Sequence, residues 1–228
     1  MSAIITDQIR ILNAKNFVGA VSTSTNSYYA FVGLPNPNNI QSDWNVTPPS
    51  PVDNFNSEND YWDTMIALKK ITSSDVKQVV KKNSWSSGIT YDYYRHDYGI
   101  TNIPRNSSGT SLYSANYFVV NSDYRVYICI DNGSSGTNPT GNTSQDQPTF
   151  TNLEPTKAGE SGDGYIWKYL FTVSPSDIIK FDSIEYIVVP NSWSTSTDSQ
   201  ITAVRENGDS SVNNNQIKFL INFLFNFF

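Results

Sequence analysis

Hydrophobic and polar positions alternate most strictly between Gly162 and Val173. Strand side chains repeat with a period of two. Tyr165, Trp167, Tyr169, Phe171 and Val173 therefore fall on one face, and Ile166, Lys168, Leu170 and Thr172 on the other. The first face is almost wholly aromatic, and rings of that size bury roughly 150–250 Å² each. The pattern predicts a strand with an aromatic core face and a less buried second face. A Gly162-Asp163-Gly164 turn opens it, since glycine takes positive φ at no steric cost. Ser174 then suits an N-cap, Pro175 the first helical position and Asp177 the positive end of a helix. Ile178, Ile179 and Phe181 would anchor this short helix, and Glu185 to Val189 predicts a further strand stopped by Pro190.

Elsewhere the patterns are weaker. Ile5, Ile9, Leu12 and Phe17 recur at helical spacing, predicting a helix within Met1 to Ala20 with Thr6 as its N-cap. Tyr28 to Leu34 reads as a strand closed by Pro35 and Pro37, and Asn36 to Pro51 as a proline-rich loop bearing Trp44. Asn59 to Met65 reads as a short helix, and Ala67 to Ile71 either continues it or forms a strand. Thr72-Ser73-Ser74-Asp75 is an N-cap cluster ahead of Val76, Val79 and Val80. Phe118 and its neighbours from Asn116 to Val120 pair with Tyr124 to Ile130 in a predicted hairpin about Asn121-Ser122-Asp123. Asp131 to Thr149 is Gly/Ser/Asn/Thr-rich without periodicity, which predicts a mobile loop. Residues 1–212 read as one domain with a candidate internal break at 105–115. The apolar, low-complexity tail 213–228 reads as a frameshifted or truncated gene end, or alternatively as a genuine apolar edge strand.

Composition narrows the function. Of 228 residues 14% are aromatic and 16% charged, so contacts rest on ring burial more than on ion pairs. A net charge of −6 argues against a nucleic-acid partner. The start lacks a basic segment followed by an apolar run, so no signal peptide is expected. No run of about 18 apolar residues occurs, so no membrane span is expected either. Catalytic sets are sparse. Cys129 and the single histidine, His96, sit in no catalytic motif, and Asp131 with Asp163 is a candidate glycosidase pair only if the two are more than turn formers. One histidine and one cysteine cannot build the usual zinc sets. Gly159 to Gly164 lacks phosphate-loop order, and residues 131–146 lack the acidic spacing of a calcium loop. No cofactor, metal or enzyme activity is therefore expected, and the aromatic clusters read as core, as interface anchors or as a sugar-stacking platform.

Four blocks give the chain a family likeness. They are Phe31-Val32-Gly33 with Pro35, Trp44 and Pro48-Pro49-Ser50-Pro51-Val52-Asp53; Trp62, Met65 and Lys69 with Val79 to Lys82 and Trp85; Tyr127-Ile128-Cys129-Ile130-Asp131; and Gly162 to Phe171 with Glu185 to Pro190. In these the sequence resembles the baseplate wedge subunit of T-even-like contractile-tailed bacteriophages, the gene product 8 family. The resemblance spans roughly Ser27 to Pro190. Asn83-Ser84 depart from it, standing where the family carries charge, and the family's later β-domain has no counterpart. The resemblance implies an α+β, β-rich fold, an α/β sandwich with β-sandwich parts and short helices. It implies a non-enzymatic homodimer that packs against other wedge proteins in the virion tail baseplate, after assembly in the host cytoplasm. Trp44, Pro48, Pro49 and Trp85 are the candidate interface residues, and Tyr165, Trp167, Tyr169 and Phe171 the core motif. The competing reading is a carbohydrate- or receptor-binding virion module, stacking sugars on Trp44, Trp85 or Trp193.

Overall fold

The computed structural model describes residues 7–23, 25–33, 46–47, 62, 65–95, 115–191 and 196–210. The fold is mixed α+β and rich in strand. The chain divides into two compact units, residues 1–76 and 77–228. The candidate break at 105–115 lies outside the described residues, save Ala115, and so does the tail 213–228.

In the first unit, helix α1 (Asp7–Ser22) leads to strand β1 (Tyr28–Val32), which pairs antiparallel with β2 (Ala67–Ile71). The helix ends as its last carbonyls are taken by side chains: Ser22 Oγ donates to Val18 O and Thr23 Oγ1 to Gly19 O. Its expected apolar face does not form. Ile9, Leu12 and Phe17 are exposed and, among the described side chains of the helix, only Val21 is buried, because the apolar residues are scattered around the helix rather than gathered in one stripe. Phe17 still meets Tyr28 edge to face, with ring centroids 5.8 Å apart. The open choice at 67–71 resolves as strand. The Thr72 cluster caps only a 3₁₀ turn (Ser73–Asp75), in which Asp75 Oδ2 accepts from Thr72 N and Oγ1. No α-helix follows, since Val79 and Val80 sit beside Gln78 and Lys81 in a strand.

That strand, β3 (Gln78–Lys81), opens the second unit and pairs antiparallel with β8 (Tyr186–Val189). Beyond β3 the chain runs alongside β4 (Phe118–Val120): Trp85 N donates to Val120 O at 2.9 Å and Val120 N to Asn83 O at 2.8 Å. A four-stranded antiparallel sheet follows, in the order β4, β5 (Arg125–Asn132), β7 (Tyr165–Thr172), β6 (Thr156–Lys157). The β4–β5 hairpin turns about Asn121, whose Oδ1 accepts from Asp123 N and Arg125 N, with Tyr124 at φ 57°. Helix α2 (Pro175–Phe181) begins as its sequence predicts, with Asp177 N donating to Ser174 Oγ at 3.2 Å and Pro175 in the first turn. Helix α3 (Ser199–Ser210) packs against β7.

The core lies between these elements. Tyr165, Trp167, Tyr169 and Phe171 are all buried, Tyr165 stacking on Trp167 at 5.3 Å and Tyr91 meeting Trp167 edge-on at 5.7 Å. Across the register Tyr127 faces Tyr169, centroids 5.8 Å apart, and Cys129 faces Trp167. The second face of β7 differs from expectation: Lys168 is 0% exposed and Leu170 is buried too. The alternation is intact, but the 153–154 segment and α3 reach that face as well.

Candidate functional site

The candidate carboxylates are turn builders. Asp131 Oδ1 accepts from Gly133 N at 2.9 Å; Asp163 Oδ1 accepts from Tyr165 N at 3.0 Å and its Oδ2 from Gln145 N at 2.8 Å. Asp146 Oδ2 takes Ser161 N at 2.8 Å, and hydrogen bonds from the Ser161 side chain and backbone hold the Asp146 carboxyl below the usual range. Here the loop expected to be mobile is tied down. Asn132 Nδ2 donates to Tyr91 O and Thr140 O, Asn138 Nδ2 to Asn142 Oδ1, and Asn142 Nδ2 to Asp163 O. Side-chain amides replace the missing periodicity, a bonding pattern that hydrophobic spacing cannot reveal. Gly133, at φ 68°, is required: a Cβ there would lie 2.4 Å from Asn142 Nδ2 and 3.0 Å from Asp163 O. Cys129 is fully buried, and burial pushes its thiol well up, the reverse of what a nucleophile needs. Its suggested partner His96 lies outside the described residues. Among the described residues no group of three or more His, Cys, Asp or Glu could hold a metal ion, and no helix is long and apolar enough to cross a membrane.

What remains is contact surface. Trp44, Pro48 and Pro49 lie outside the described residues, as does Trp193. Trp85 is half-buried against the core, with Nε1 donating to Ser144 Oγ at 3.1 Å, so its ring is not a free stacking platform. The first unit offers a face that motif reading missed. Phe31 lies directly opposite Leu68 and Tyr29 opposite Lys70, so these four share one side of the β1–β2 ribbon. Phe31 is 49% and Leu68 50% exposed, with Tyr29 and Ile66 also open to solvent. The register supplies the missing signal, because it sets Phe31 of β1 against Leu68 of β2 on one side of the ribbon.

The second unit exposes a smaller apolar group, Ile179 on α2 with Ile184 and Tyr186 beyond it, Ile184 being 95% exposed. Two ion pairs hold this segment. Lys77 Nζ meets Asp177 Oδ2 at 3.3 Å, and Lys82 Nζ meets both carboxylate oxygens of Asp182 at 2.8 Å. Tyr124 Oη donates to Asp182 Oδ2 at 3.1 Å while Lys82 sits 5.1 Å from its ring centroid. A cleft of about 240 Å³ opens beside α3, lined by Thr151, Leu153, Tyr169, Ser199, Gln200 and Ala203.

Exposed apolar surface of this kind marks interaction sites. The family model of Bacteriophage T4, Gp8 matches residues 3–152 and 128–221. The baseplate wedge protein gp8 of Enterobacteria phage T4 is 25% identical over 212 residues, covering 82% of this chain and 60% of the relative. The chain therefore spans less than two thirds of that relative's length.

Proposed function

The chain belongs to the Bacteriophage T4 Gp8 family, and from that premise we propose that it is a structural, non-enzymatic component of a phage tail baseplate wedge. It assembles through protein–protein contacts with a second copy of itself and with other wedge proteins, in the virion. The match to a baseplate wedge protein along most of the chain carries this reading. The open ribbon face of Tyr29, Phe31, Ile66 and Leu68 supports it, because contiguous exposed apolar surface marks interaction sites. The proline-rich stretch with Trp44, Pro48 and Pro49 is a further contact. Trp is enriched among binding hot spots, and proline limits the entropy lost on docking. The wedge-like region is residues 1–212. The carbohydrate-binding alternative gains nothing from Trp85, whose ring is half-buried and whose N–H is engaged.

Sedimentation of the purified chain, alone and mixed with the other baseplate proteins of its phage, tests the reading. A dimer that co-sediments with at least one wedge protein supports it. A folded monomer that joins none of them overturns it. Substituting Phe31→Glu together with Leu68→Glu is expected to weaken whichever association uses the ribbon at least tenfold while the far-UV spectrum is kept.

A further inference from the structure

Lys168 is a charged residue in the middle of an apolar strand, fully buried, and its ammonium is met by neutral acceptors. Its Nζ donates to Leu153 O and, at 2.8 Å, to Asn207 Oδ1 on α3; Asn207 Nδ2 in turn donates to Glu154 Oε1 at 2.7 Å. The same helix is held at its other end by a hydrogen bond, Tyr169 Oη to Gln200 Oε1 at 2.9 Å. Of the α3 side chains described, only Ile201 and Val204 are buried, and the cleft lined by Ser199, Gln200 and Ala203 runs along its flank. The helix is thus attached by Ile201 and Val204 together with polar contacts at its two ends.

We infer that α3 is a separable strap whose docking, and whose register on the sheet, are set by Asn207 meeting the buried Lys168 ammonium. The argument turns on an asymmetry. A buried ammonium is costly unless its donors are satisfied, whereas an apolar side chain of the same shape in that place costs little. Burial already depresses the Lys168 pKa, with the Glu154 carboxylate opposing that shift. When α3 lifts, water solvates Lys168; when α3 docks with Asn207 elsewhere, the charge loses an acceptor. Lys168 therefore favours lifting in every register but one. Openings of this kind are local and leave the sheet intact.

Native-state hydrogen exchange on the full chain, read by peptides covering 199–210 and 165–173, tests this. Asn207→Leu is expected to speed exchange of the α3 amides thirtyfold or more and leave β7 unchanged. Lys168→Met, which removes the charge, is expected to stay within threefold of the parent. The double substitution Lys168→Met with Asn207→Leu is expected to bring α3 back to within threefold. Should Asn207→Leu unfold the chain, recovery of folding in the double variant is the same rescue at larger amplitude. The inference is overturned if Asn207→Leu changes nothing, if the double variant stays as loose as Asn207→Leu alone, or if helix and sheet loosen together.

Discussion

Strands β1 and β7 are written in nearly the same alphabet and meet opposite fates. β1 is Tyr-Tyr-Ala-Phe-Val, and its Tyr29 and Phe31 stand half-open to solvent. β7 carries Tyr165, Trp167, Tyr169 and Phe171, none of which is open. Aromatic content does not separate them. Among the described residues the neighbours differ: β7 is flanked by β5 and β6 in its sheet and approached by Tyr91 and α3, whereas β1 has β2 beside it and Phe17 of α1 against Tyr28. A two-stranded ribbon is marginal in water until a further layer covers it. A ring therefore supplies stability in the second unit and remains available for association in the first.

The largest test of that contrast is Trp167→Ala. It should cost about 3–5 kcal/mol, as deletion of large core aromatics does, seen as a lowered urea midpoint. A loss under about 1 kcal/mol would place Trp167 outside the cooperative core.

Alkaline pH should weaken the same region. Burial pushes the Tyr94 and Tyr127 phenols up to about 12, for Tyr127 against the pull of Arg125, and raises Tyr165 further. Unfolded tyrosines ionise near ~10, so between that pH and about 12 the unfolded chain binds fewer protons than the native one. The stabilisation is complete below the unfolded value and fades as pH rises through the folded one. Urea midpoints should be flat from pH 7 to 9 and fall clearly by pH 11.5, with Tyr94→Phe reducing the fall. Equal midpoints at pH 9 and 11.5 would contradict this.

Gly133→Ala should cost roughly 1–3 kcal/mol, because alanine in a left-handed conformation is strained and its methyl would displace Asn142. If thermal melts show no loss, the interlocked loops are more yielding than their hydrogen bonds suggest. The smallest expected effect is that of Phe31→Ser, under about 1 kcal/mol on stability. A loss as large as that of Trp167→Ala would erase the distinction between the two strands.

Local chemistry was legible wherever a short stretch settles it. Ser174 and Pro175 start α2, Asn121 turns the hairpin, and the alternation from Tyr165 to Phe171 marks a strand with an aromatic core face. What escaped reading depends on distant partners. Nothing near Lys168 announces that Asn207, 39 residues on, will accept its hydrogen bond, so the second face of β7 reads as the less buried one. The amides of Asn132, Asn138 and Asn142 look like loop filler until their acceptors are placed. The Thr72 cluster reads as a helix start, yet the following Gln-Val-Val-Lys alternation takes the chain into β3 after a single 3₁₀ turn. For the candidate interface, sequence motifs pointed to Trp44, Pro48, Pro49 and Trp85, while the register of β1 on β2 discloses the Phe31–Leu68 face.

The two lysine–aspartate pairs about α2 have a mechanical consequence. Lys77 and Lys82 flank a strand, where five residues span roughly 16 Å, while Asp177 lies in the first turn of α2 and Asp182 at its C-cap, and five helical residues span about 8 Å. The ion pairs are therefore braces that converge from a wide base to a narrow top. Each pair joins residues 100 positions apart, so the helix is tied to both ends of β3. The exposed Ile179 lies between the two tied positions.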